Sequence, residues 1–136
     1  MTLAARVIVA SLRAGERVRW TVRGASMWPA IPDGSEVEVT PCAADALRPG
    51  DIAAYARGDT VVVHRLLGRR DGALRFRGDS LGLEDAPVRP DDVLGRAVVL
   101  RRAPLRWSRP RRARLLGAAR AALAWLRAMA QPSAPR

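Results

Sequence analysis

Six short strand candidates, separated by turns rich in Pro, Gly and Asp, recur between positions 17 and 101 and leave this chain few ways to fold. In 17–23 the order Arg-Val-Arg-Trp-Thr-Val-Arg alternates with period two, which places Val18, Trp20 and Val22 on one face of a strand. Turn chemistry precedes most of the others. Pro32-Asp33-Gly34 stands before 36–40, Pro49-Gly50-Asp51 before 52–56, Gly58-Asp59 before 61–67 and Asp71-Gly72 before 74–77; the last candidate strand is 93–101. Strands recurring at roughly ten-residue intervals with this punctuation predict a mainly β domain, a compact antiparallel barrel-like folded sheet.

The flanks read differently. In 2–14 the apolar Leu3, Val7, Ala10 and Ala14 recur at helical spacing, with Thr2 as a cap and Gly15 as a stop, so the pattern predicts a short N-terminal helix within 1–15. The β domain then occupies 16–101, a basic stretch with Pro104 and Pro110 makes a linker at 102–113, and 131–136 is a loose tail. In 114–130 Leu115, Leu116, Ala119, Leu123, Leu126 and Ala130 form one stripe and Arg120 and Arg127 another face, an amphipathic helix. Two readings stay open for it: peripheral contact with an anionic membrane or a partner, or packing on the β domain. Arg6 and Arg13 interrupt the first apolar run and Arg120 the last, so neither a signal peptide nor a transmembrane helix is expected. The expected location is cytoplasmic or peripheral to a membrane.

Composition narrows the chemistry. All 24 basic residues are arginine, which excludes a Schiff-base lysine, a phosphate-loop lysine and a serine–lysine dyad. A single His and a single Cys exclude a multi-ligand His/Cys zinc site and an intrachain disulfide, and no metal or cofactor is expected. The net charge of +11 accompanies arginines spread along the whole chain, as compositional bias would spread them, so nucleic acid is not the expected partner. The oligomeric state is left open.

Ser26 lies just beyond the first strand in Gly24-Ala25-Ser26-Met27-Trp28-Pro29, where small residues let another backbone approach. A serine hydroxyl is inert until a base takes its proton, and His64, in Val61-Val62-Val63-His64-Arg65-Leu66-Leu67, is the one neutral-pH base the chain offers. Alternation puts His64 with Val62 and Leu66 on one strand face. A carboxylate to orient the imidazole is sought in the polar segment 77–85, which contains Asp79, Glu84 and Asp85.

Taken together, Gly24-x-Ser26-Met27-x-Pro29-x-Ile31-x-x-Gly34, Leu47-Arg48-Pro49-Gly50-Asp51-Ile52, Val63-His64-Arg65, Gly78-Asp79 and Leu94-Gly95-Arg96-Ala97-Val98 resemble, in order and spacing, the signal peptidase I and self-cleaving-repressor superfamily of serine proteases. The resemblance spans 18–100. Within it the chain is similar to the branch of endoplasmic-reticulum, archaeal and spore-former signal peptidases, in which a histidine replaces the lysine base. The resemblance implies Ser26 as nucleophile, His64 as base and Asp85 as orienting acid, with Asp79 structural or sharing that task. It also implies that Gly24, Ala25, Met27 and Pro29 border the substrate, an extended precursor or leader peptide paired as an added strand on edges near 18–22 and 52–56. Trp28 reads as a membrane-interface contact or as a pocket wall. Ala128-Met129-Ala130 resembles a small-x-small cleavage site for self-processing. The competing expectations are a non-catalytic β-module that captures an extended peptide, partner or membrane surface, and an arginine-rich binder of nucleic acid or anionic membrane.

Overall fold

A computed structural model describes residues 2–105. The amphipathic stretch 114–130, the tail 131–136, the end of the linker and the Ala128-Met129-Ala130 site lie outside the described residues.

Helix α1 spans Leu3–Arg13, and the Thr2 hydroxyl accepts the Ala5 N–H at 3.2 Å. The cap therefore satisfies one of the amides a helix start leaves without a partner, and Arg13 in the last turn complements the negative end of the dipole. The buried face differs from the one the spacing suggested. Ala5 and Leu12 are buried and Ile8 and Val9 pack on the core, whereas Leu3 and Val7 are 78% and 56% exposed. The helix is apolar on more than one side, so periodicity alone does not select the inward stripe; contact with the sheet does.

Six strands follow: β1 Val18–Thr21, β2 Glu36–Pro41, β3 Ile52–Arg57, β4 Thr60–Arg70, β5 Ala73–Arg77 and β6 Val93–Arg101. They make one antiparallel sheet in the order β1-β2-β6-β3-β4-β5. The end strands β1 and β5 do not pair with each other, so the sheet is open where a barrel-like closure was expected. On β5 the outer side is occupied by residue 88, through Leu74 N–H to Val88 O at 2.8 Å and Val88 N–H to Leu74 O at 3.0 Å. The expected edge at 52–56 is corrected as well: β3 lies between β6 and β4 and offers no free edge.

Alternation sorts the core into two clusters. On one face Leu12 of α1 packs with Met27, Ile31, Val37, Val39, Ala54, Val63, Leu94 and Ala97. On the other Leu47, Ala53, Tyr55, Leu66, Leu74, Phe76 and Val88 come together. Ala53 and Tyr55 bracket Ala54, and Val62 and Leu66 alternate against Val63, as a two-residue period requires. Register is thereby pinned, because a slip of one residue would exchange the two cores' side chains. The Pro49-Gly50-Asp51 turn is fixed by the Asp51 carboxylate, which accepts the Arg48 N–H at 2.8 Å and lies 3.2 Å from the Arg96 guanidinium. The backbone donor first, and Arg96 after it, hold that carboxyl below its usual range.

Candidate functional site

Ser26 follows β1 in a turn whose shape is set by short-range hydrogen bonds. The Gly24 N–H donates to Asp33 Oδ1 at 2.8 Å, Trp28 N–H to Ala25 O at 3.1 Å, and Ile31 N–H to Met27 O at 2.8 Å. Met27 and Ile31 are 2% and 1% exposed and anchor the turn in the first core cluster. A second segment clamps it from outside: Ser80 N–H donates to Ser26 O at 3.0 Å, the Ser80 hydroxyl to Ala25 O at 2.6 Å, and Asp79 N–H to the Met27 sulfur at 3.4 Å. The approach is so close that a Cβ on Gly78 would stand 2.6 Å from Ser26 O, so a hydrogen is all this position admits.

His64 stands on β4 directly opposite Ala53 of β3, whose small side chain leaves the imidazole room. Its Nε2 lies 3.1 Å from Ser26 Oγ and its Nδ1 2.6 Å from Asp85 Oδ2. One tautomer satisfies both contacts: Nδ1–H donates to the carboxylate, and Nε2 accepts the Ser26 hydroxyl. The His64 and Asp85 side chains are only 9% and 8% exposed. Asp85 is fixed at its backbone by N–H donation to Phe76 O at 2.8 Å and at its side chain by the Tyr55 hydroxyl, which donates to Oδ2 at 2.6 Å. Burial first, and the neighbouring Asp85 carboxylate after it, push the Tyr55 phenol far above its ordinary value, so it serves as a donor.

The two acids that the sequence left in competition have different surroundings. Asp79 takes a two-pronged contact from Arg65, at 2.8 Å from Nε and 2.7 Å from Nη2, while Arg65 Nη1 donates to Gly50 O at 2.7 Å. This fork ties β4 to the segment that clamps Ser26, and the hydrogen bonds raise the Arg65 guanidinium still further above neutrality. Asp85 faces His64; Asp79 faces Arg65. Glu84 forms an ion pair with Arg75 at the surface.

A cleft of about 420 Å³ opens beside Ser26 and His64. Its walls are Trp20, Thr21, Val22 and Arg23 on one side and Val61, Val62 and Val63 on the other. In sheet order β1 and β4 are four strand spacings apart, about 19 Å in a flat sheet. That both line one cleft requires the sheet to coil strongly on itself, as the natural twist of strands allows.

Of the residues expected to border a substrate, Gly24, Ala25 and Pro29 are exposed beside Ser26, whereas the Met27 side chain is turned into the core and offers a ligand only its backbone. Trp28 is 45% exposed next to the site. Spacing did not single out Tyr55, Ser80 or Arg65 for the roles they take here. Tyr55 is the chain's single tyrosine and lies two residues beyond Ala53 on β3, which is the signal once the pairing of Ala53 with His64 is known. Among the described residues no cluster of three or more His, Cys, Asp or Glu is arranged to hold a metal ion, and no helix is long and apolar enough to cross a membrane. No protein-family model matches the chain, and no curated protein matches it.

Proposed function

We propose that the chain is a serine endopeptidase of the signal-peptidase-like type that hydrolyses a peptide bond in an extended precursor or leader segment. The observation that carries this reading is the linear relay from Ser26 Oγ to His64 Nε2 at 3.1 Å and from His64 Nδ1 to Asp85 Oδ2 at 2.6 Å. Nucleophile, base and orienting acid in hydrogen-bond reach form the general arrangement that activates a serine. The five sequence blocks that resemble the histidine-dependent signal peptidases support the same assignment.

In this mechanism His64 takes the hydroxyl proton as Ser26 Oγ attacks the scissile carbonyl. The Ser26 amide donates to the developing oxyanion, and the imidazolium then protonates the leaving amine. Water, deprotonated by His64, releases the acyl group and restores the serine. Asp85 holds the Nδ1–H tautomer and offsets the imidazolium charge. The cleft beside β1 accepts the substrate chain, and β1, which among the described strands pairs with β2 alone, can add its backbone to the substrate's. Ala25 leaves space for small side chains near the scissile bond.

The test is cleavage of small-x-small precursor peptides, paired with labelling by a serine-reactive phosphonate. Wild type is expected to cleave and to label, and Ser26→Ala to lose about 10³-fold or more in kcat with no label. Equal cleavage by Ser26→Ala, or wild type that neither cleaves nor labels, overturns the assignment. In that event capture of the same peptides without cutting would identify a binding module.

A further inference from the structure

The geometry points to Tyr55 as a positioning residue that acts through Asp85, we infer, by fixing the carboxylate oxygen that His64 uses. This rests on the peptidase reading of the same site. Tyr55 is fully buried, and its hydroxyl reaches Asp85 Oδ2 at 2.6 Å, the same oxygen that lies 2.6 Å from His64 Nδ1. Both donors converge on one atom, so rotation of the Asp85 carboxylate would break two hydrogen bonds at once. Tyr55 is not among the walls of the cleft, and its ring is packed in the second core cluster.

The lever is rigid. The Phe76 ring lies 4.8 Å from the Tyr55 ring, centre to centre, and the Arg57 guanidinium carbon 5.2 Å from that ring's centre. Arg57 also donates to Ala86 O at 2.8 Å, one residue beyond Asp85, and Asp85 N–H donates to Phe76 O at 2.8 Å. Tyr55 and its two neighbours therefore hold the acid-bearing segment at side chain and backbone together. A short polar side chain at the end of a loop needs such support, because its own torsions are free unless both carboxylate orientations are made unequal.

The experiment compares wild type, Tyr55→Phe, Asp85→Ala and the double variant, with kcat and KM measured on a cleaved precursor peptide. Tyr55→Phe is expected to lower kcat about tenfold with KM unchanged within twofold, and to have no further effect in the Asp85→Ala background. An equal loss in both backgrounds, or no loss in either, overturns the inference. A second readout needs no turnover. In Ser26→Ala protein carrying ¹⁵N-labelled histidine, His64 is expected as the Nδ1–H tautomer with a low-field proton, and Tyr55→Phe is expected to yield mixed tautomers and to lose that proton signal. An unchanged spectrum overturns the inference. If Tyr55→Phe does not fold, 3,5-difluorotyrosine in its place keeps the ring and donates more strongly; an upfield move of the His64 Nδ1–H signal is then expected, and its absence overturns the inference. Wild type without peptidase activity would defeat the peptidase reading, while the His64 spectrum still decides whether Tyr55 positions Asp85.

Discussion

A carboxylate, an imidazole and a phenol share one small buried space around Asp85 Oδ2. Loss of the Tyr55 proton would place a phenolate against a carboxylate in a desolvated site, so burial and Asp85 both raise that ionisation above its usual range. The sign of the linkage follows. An unfolded tyrosine ionises near pH 10 while the folded one resists, so the stabilisation is fully present below pH ~10 and is lost as pH rises through the folded value. The chain has one tyrosine, which makes this directly readable. Tyrosinate absorbance near 295 nm is expected to stay flat in native protein at pH 10 to 11 and to appear on adding denaturant at the same pH. A titration curve in native protein like that of free tyrosine would contradict the buried donor.

At the level of elements, the Ser26 turn is held in place by the segment that follows β5. Gly78 meets Ser26 O so closely that a methyl group would displace that carbonyl or the 78–81 segment. Gly78→Ala is expected to cost about 1–3 kcal/mol in chemical denaturation, as overpacking does, and to lower kcat about 10²-fold, the scale of a misplacement near 1 Å. Loss of stability without loss of rate would show that the turn adapts. The elements themselves were largely legible: each predicted strand is present, because turn residues and period-two alternation are local signals. The inward face of α1 was not, since Ile8 and Leu12 compete with Leu3 and Val7 and the sheet decides between them. Nor was the division of labour between Asp79 and Asp85 written in spacing alone; it follows from where the Arg65 side chain goes. Tyr55 stayed unseen because strand register is a non-local property.

For the whole domain, burial outweighs surface charge. Ion pairs such as Arg19–Glu38, with Arg19 64% exposed, contribute about 0–1 kcal/mol each. Phe76, fully buried in the second cluster, is worth more. Phe76→Ala is expected to cost about 3–5 kcal/mol, read as a lower urea midpoint at unchanged slope; a shift corresponding to less than 1 kcal/mol would mean the cluster collapses into the space. Against a typical domain stability of about 5–15 kcal/mol this is a large share. The two cores also divide the candidate site between them. Ser26 is anchored through Met27 and Ile31 in one cluster, while Asp85, the partner of His64, is held by Tyr55 of the other. The relay therefore exists only while both sides are intact, and it acts as a coincidence detector for cooperative folding: loosening either layer alone separates the Ser26 hydroxyl from the His64 imidazole.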